Sequence, residues 1–176
     1  MDIEQIIWVE EYISSRKEFS INVKNPDGLK LYLKEGKAEI HGRELPLHTL
    51  QQFQKGERFC IYTWSESTIC LEYKNDEDFF YLTDQTNYST YINISQYINE
   101  LRQEAQEFPF KIGPRILVCG GKQSGKTTIV KIFTNYACKL GWKPIMVDLD
   151  PDMNSILTSC CIGAVVYRGI GNLYVC

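Results

Sequence analysis

Gly120-Gly121-Lys122-Gln123-Ser124-Gly125-Lys126-Thr127 is the stretch whose residue types and spacing can do chemistry. It is a complete G-x4-G-K-T pattern, the Walker A loop. Gly120 and Gly125 let the backbone turn tightly, so that the loop N–H groups and the following helix N-terminus converge on phosphate oxygens. Lys126 supplies a mobile point charge for the β and γ oxygens, and the Thr127 hydroxyl is a hard oxygen ligand suited to Mg²⁺. Gly121, Lys122, Gln123, Ser124 and Thr128 complete the expected cofactor-binding set. The cofactors implied are ATP and Mg²⁺. A glycine-rich turn would match this pattern by chance at roughly four starts in 10⁵, which makes coincidence a poor explanation.

The loop works only if a strand leads into it and a helix leaves it. Ile116 to Cys119 is a short apolar run that predicts the strand, and Thr128 to Leu140 predicts the helix, with Gly141 as its C-cap. A second apolar run, Pro144 to Val147, leads into Asp148-Leu-Asp150-Pro151. The carboxyl end of such a strand is where α/β proteins bind ligands. A carboxylate there can hold a metal-bound water or take the proton from an attacking hydroxyl. Asp148 and Asp150 would share one face of the strand. Asp150, further out, is the preferred candidate: a catalytic residue with Lys126, and a metal residue with Thr127. The competing reading is a solvated acidic turn.

The rest of the chain must carry these elements. Phe19, Ile21 and Val23 alternate, as do Leu29, Leu31 and Leu33, with the Asn25-Pro-Asp-Gly28 turn between them. Arg58 to Trp64 and Thr68 to Tyr73 are further β-rich runs. Residues 1–90 therefore read as a small β-sandwich or barrel. Ile94, Ile98, Leu101 and Ala105 recur at helical spacing, predicting an amphipathic helix over 93–108 capped by Asn93 or Ser95. It falls in a linker, 91–112, that ends at the Gly113-Pro114 hinge. Residues 113–176 read as the first part of a P-loop domain. The fold class is α/β overall, with the parallel sheet left incomplete, because a P-loop domain needs about five strands.

The chain has 176 residues, 44% hydrophobic and 23% charged, with a net charge of −3. This is a soluble globular composition that gives no hint of a general nucleic-acid surface while leaving room for a local basic groove. It holds no apolar run of about 18 residues, and Met1-Asp-Ile-Glu lacks the basic start of a signal peptide, so no membrane role is expected. Seven cysteines without CxxC spacing predict buried free thiols rather than a disulfide frame or zinc site. His41 and His48 are read as surface or core residues.

With these residues placed, the chain resembles the polynucleotide 5'-hydroxyl kinase family that includes the Clp subunit of the eukaryotic pre-mRNA cleavage and polyadenylation factor. Gly36-Lys-Ala-Glu-Ile-His-Gly-Arg-Glu-Leu45 is close to that family's G-x-A-E-I-F-G-x-E-L signature, and Phe59 to Trp64 is similar to its following strand. Tyr91 to Ala105 resembles its linker helix, and Gly113-Pro-Arg115 leads into the loop as in the family. The resemblance implies an N-terminal β-sandwich and a P-loop kinase-like domain. It also implies base recognition by Glu18 and Lys74, a nuclear location, and partners among the cleavage and polyadenylation subunits, with RNA as a further ligand. Kinase-active members carry D-x-G-Q where this chain has Asp150-Pro-Asp-Met153. That departure resembles members that hold ATP as scaffolds. Three readings stand at this point: an ATP-loaded assembly subunit, an RNA 5'-hydroxyl kinase, and a partition-type ATPase. The last is suggested by Val147-Asp-Leu-Asp-Pro151 but lacks the required second lysine at Gly121.

Overall fold

The computed structural model describes residues 7–73, 79–152, 154–158 and 160–167. The chain divides into two compact units, Met1–Tyr88 and Ser89–Cys176.

Among the described residues the first unit holds nine strands: β1 (Ile7–Ile13), β2 (Glu18–Asn22), β3 (Leu29–Glu35), β4 (Ala38–Ile40), β5 (Arg43–Glu44), β6 (Gln51–Phe53), β7 (Arg58–Thr63), β8 (Ser67–Tyr73) and β9 (Phe79–Thr83). They form two sheets, β1-β8-β3-β6 and β5-β4-β7-β2-β9. Leu29, Leu31 and Leu33 of β3 point inward while Lys30, Tyr32 and Lys34 alternate outward, as a half-buried strand requires. They meet Ile13, Phe19, Ile21, Val23, Phe59, Ile61, Ile69 and Leu71 in one apolar core drawn from both sheets. Each fully buried aliphatic side chain of this kind contributes about 1.5–3 kcal/mol. Phe53 and Phe59 stack with ring centroids 4.0 Å apart, closing one end of that core.

The turns explain several polar residues. The Asn25 side chain accepts the Asp27 N–H at 3.0 Å, and its carbonyl accepts the Gly28 N–H at 3.0 Å. Gly28 has φ +81°, and a Cβ there would lie 2.3 Å from the Phe53 carbonyl oxygen. Only glycine fits. His41 and Gly42, with φ of 48° and 81°, form the two-residue turn between the paired Ile40 and Arg43. That is the turn whose twist suits a hairpin, so His41 serves the backbone.

The second unit contains α1 (Tyr88–Glu107), α2 (Lys126–Lys139) and the hairpin β10 (Ile145–Asp148) and β11 (Gly163–Val166). α1 begins earlier than its apolar spacing suggests. Thr86 Oγ1 accepts the Tyr88 N–H at 3.1 Å, so the cap is Thr86, while Asn93 and Ser95 lie inside the helix. The buried stripe runs through Ser95 and Ile98, and Ile94 is exposed. α2 ends as expected of Gly141. Its N–H bonds the Cys138 carbonyl, the Trp142 N–H bonds the Ala137 carbonyl at 3.0 Å, and Gly141 sits at φ +83°.

The strand expected at 115–119 carries no ladder among the described residues, and Ile116 and Leu117 are exposed. A strand exists through hydrogen bonds to neighbours, so an apolar run alone does not make one. β10 finds its described partner in β11, antiparallel, with Ile145 opposite Val166 and Asp148 opposite Gly163. Cys138 of α2 packs with Met146 and Tyr167 of the hairpin segment, with Val130, Ile156 and Val165 against them. Trp142 Nε1 donates to Asn99 Oδ1 at 2.7 Å, tying the end of α2 to α1. Among the described cysteines Cys70 and Cys138 are buried, whereas Cys119 and Cys160 are exposed, contrary to the expected burial. Among the described residues no helix is long and apolar enough to cross a membrane.

Candidate functional site

The G-x4-G-K-T residues form a tight loop ahead of α2. Gly125, at φ 83° and ψ 12°, is the N-cap of α2, and Gln123 also takes a positive φ of 61°. Left-handed residues within such a loop let successive N–H groups converge, the arrangement that binds anions. No side chain caps α2, which leaves its first N–H groups and positive dipole end to the loop interior.

Two side chains close the loop. Ser124 Oγ donates to the Gly121 carbonyl at 2.9 Å, and Lys126 Nζ donates to the same carbonyl at 2.7 Å. The Lys126 ammonium is thus held across the loop mouth. A Cβ on Gly120 would stand 2.7 Å from Ser124 Oγ, so the cradle is one a side chain would fill. Lys122, Gln123 and Thr127 are exposed, and Thr128 is half-buried on the first turn of α2.

The carboxylates behave differently from one another. β10 ends at Asp148, so Asp150 lies in the following loop and the shared-face argument does not apply to it. Asp148 Oδ2 accepts the Ser155 N–H at 2.7 Å and the Ser155 hydroxyl at 2.6 Å, while Oδ1 accepts the Asp150 N–H at 3.0 Å. Burial pushes the Asp148 carboxyl up, but these hydrogen bonds outweigh it and hold the group below the usual aspartate range. Asp150 is exposed, and its Oδ1 accepts the Asp152 N–H at 3.0 Å. Asn154 Oδ1 accepts the N–H groups of Ile156 and Leu157 at 2.8 and 2.6 Å.

α2 starts at the phosphate loop and packs on the hairpin that ends in Asp148, so the fold brings loop and carboxylates into one unit. Glu18 sits half-buried on β2 of the other unit, opposite Tyr62 and Thr83. Burial raises its carboxyl, and a hydrogen bond with Thr86 holds it partly down. Lys74 lies outside the described residues. Ser155 was not foreseen, because no spacing rule links a strand-end aspartate to a serine across an irregular loop.

A glycine-built loop of the G-x4-G-K-T pattern ahead of a helix, with an exposed carboxylate on a hairpin packed against that helix, is the arrangement of the P-loop class. Residues 12–105 match the N-terminal beta-sandwich domain of polyadenylation factor, and residues 120–170 match the mRNA cleavage and polyadenylation factor CLP1 P-loop. The chain belongs to the CLP1 polyadenylation-factor family.

Similar proteins include the Protein CLP1 homolog of Brugia malayi, 33% identical over 84% of this chain and 34% of its own length. The mRNA cleavage and polyadenylation factor CLP1 of Lodderomyces elongisporus is 32% identical over 79% of this chain and 29% of its length. The Polyribonucleotide 5'-hydroxyl-kinase Clp1 of Xenopus tropicalis is 30% identical over 84% of this chain and 33% of its length. The solved wild-type Clp1p–Pcf11p complex has a chain of the same fold, with a TM-score of 0.80 and 24% identity over 96% of this chain and 38% of that one. The chain spans about a third of the length of the curated relatives it matches.

Proposed function

We propose that this chain is the ATP-binding part of a subunit of the nuclear pre-mRNA 3'-end cleavage and polyadenylation machinery, with ATP serving mainly as a structural ligand. The observation that carries it is the pairing of an intact phosphate loop, Gly120 to Thr127, with Asp150-Pro151 where kinase-active members carry D-x-G-Q. The loop fits a triphosphate: its glycine cradle would be filled by a Cβ at Gly120, and the helix end carries no side-chain cap. The donors also fit Mg²⁺, which is held by one or two protein oxygens together with phosphates and waters. Thr127 Oγ1 and the Asp150 carboxylate would supply them, and no group of three or more acidic, His or Cys ligands occurs among the described residues.

When bound, Mg²⁺–ATP would supply a compact, partly neutralised polyanion that several loop groups can grip together. Lys126, which here donates to the Gly121 carbonyl, would supply the cation for the phosphates, the N–H groups of 121–126 would orient them, and Ser124 would keep the loop closed. The resemblance assigns Glu18 and Lys74 to the base. A rigid, ATP-loaded surface would then dock protein subunits of the complex. The solved relative's complex with Pcf11p supports a protein partner of that kind.

A second reading has one observation in its favour: the Asp150 carboxylate is exposed. In an RNA 5'-hydroxyl kinase, Lys126 would neutralise developing charge and Asp150 would orient or deprotonate the attacking hydroxyl. The relative named as a polyribonucleotide kinase supports that alternative. The β-sandwich half speaks against the partition-type reading.

One experiment separates the two leading readings. The full-length gene product is incubated with Mg²⁺, γ-labelled ATP and an RNA bearing a free 5'-hydroxyl. Label retained on protein as intact ATP supports the structural role. Label moved to RNA, and lost in Lys126→Ala, establishes the kinase instead.

A further inference from the structure

Asp148 closes β10, and both of its oxygens are engaged. Oδ2 takes the Ser155 N–H at 2.7 Å and the Ser155 hydroxyl at 2.6 Å, and Oδ1 takes the Asp150 N–H at 3.0 Å. A carboxylate offers about four acceptor positions, so three are already filled by the protein. Asp148 is also the more buried of the two aspartates, and Asp150 the exposed one.

The loop that joins β10 to β11 and carries Asp150 is folded back on its own hairpin. Asn154 Nδ2 donates to the Cys161 carbonyl at 2.8 Å, and the Cys160 N–H bonds the Pro151 carbonyl at 2.7 Å. Gly163 stands opposite Asp148 in the ladder, and a Cβ there would come within 3.1–3.2 Å of the Leu157 and Ile156 side chains. The loop therefore packs directly over the residue that pairs with Asp148. Side chains held this way lose freedom in the free protein, so less remains to be lost when a ligand is gripped.

The geometry points to Asp148 as a positioning residue: with Ser155 it ties down the loop that presents Asp150, and it does not itself hold the metal. This rests on the reading of Asp150 as the Mg²⁺ residue. In this arrangement Ser155, bonded to Asp148, governs how well Mg²⁺ strengthens ATP binding.

The test uses the full chain and equilibrium dialysis of ATP, once with Mg²⁺ and once with EDTA. Ser155→Ala should weaken binding about three- to tenfold with Mg²⁺, a fraction of one charge-assisted hydrogen bond because the loss reaches the ligand only through Asp150, and by less than twofold in EDTA. Ser155→Thr, which keeps the hydroxyl, should restore most of it. In an Asp150→Asn background, Ser155→Ala should have no further effect on the Mg²⁺ dependence. Equal weakening with and without Mg²⁺ would reduce Ser155 to general stability and overturn the proposal. So would a silent Ser155→Ala beside an Asp148→Asn that abolishes the Mg²⁺ effect, since Asp148 would then be the ligand. An Asp150→Asn that leaves the Mg²⁺ effect intact overturns it too. A wild-type chain that binds no ATP in either buffer fails differently, removing the phosphate-loop reading itself.

Discussion

Trp64 donates its indole N–H to Glu39 Oε2 at 2.9 Å, and Glu39 is wholly shielded from solvent. Glu39 lies in the Gly36–Leu45 signature and Trp64 ends the Phe59–Trp64 run, so the bond joins two segments that carry the family resemblance. Tyr62 stacks edge-on against Trp64 and lies parallel to Tyr88, with centroids 5.3 and 4.2 Å away. The signature is thus a structural hairpin around a buried carboxylate, and its chemistry is stability.

Replacing Trp64 by Phe keeps an aromatic ring, though a smaller one, and removes the donor. A hydrogen bond to a charged group is worth about 1.5–3 kcal/mol, so the sandwich should lose stability of that order in urea unfolding. ATP binding, which uses other residues, should be unchanged once the protein is folded. A variant as stable as the parent would show that Glu39 draws no net benefit from Trp64.

Gly36 and Gly56 share φ of +92°, but their surroundings differ. A Cβ at Gly36 would lie 2.2 Å from the Glu66 carbonyl oxygen, whereas nothing stands within 4 Å of one at Gly56. Gly56→Ala should cost about 1–2 kcal/mol for the left-handed backbone alone. Gly36→Ala should cost clearly more, because backbone must move. Equal urea midpoints for the two variants would contradict the packing described at Gly36.

What was legible in the sequence follows from how local each signal is. The phosphate loop is a contiguous run, and β3 shows strict alternation, so both could be read residue by residue. The α1 start was misplaced because its cap is Thr86 and its buried stripe passes through the polar Ser95. The apolar run at 116–119 looked like a strand, yet pairing depends on neighbours distant in the chain. Asp148 and Asp150 looked equivalent by period, and the end of β10 separates them: one is bonded inward, the other exposed. The Asp148–Ser155 bond spans an irregular loop, where no periodicity applies.

The Asp148 bonds carry a pH signature. Burial pulls its carboxyl up, the bonds from Ser155 and the Asp150 N–H pull it down more, and the folded value lies below the usual 3.8. The unfolded chain therefore binds this proton more readily. Its contribution to stability is fully present above the unfolded value and is lost as pH falls through the lower folded one. Wild type should exceed Asp148→Asn in unfolding midpoint by a constant margin at neutral pH, with the margin shrinking below about pH 4. A margin unchanged through that window would mean that the Asp148 charge plays no part.

Thr127→Ala removes a hydroxyl from the exposed first turn of α2 without touching a core side chain. It should abolish most of the Mg²⁺ enhancement of ATP binding while leaving affinity in EDTA within about twofold, measured by equilibrium dialysis. A full Mg²⁺ enhancement in the variant would remove Thr127 from the metal site.

Lys126 carries the central claim, and its measurement is direct: equilibrium dialysis of Mg²⁺–ATP against the full chain and Lys126→Ala, with urea unfolding of both. The account predicts ATP bound one per chain by wild type and affinity at least about tenfold lower in the variant, or about 1.4 kcal/mol. The unfolding of the sandwich should be unchanged. Equal affinity in the two proteins would contradict the assignment of the phosphate loop.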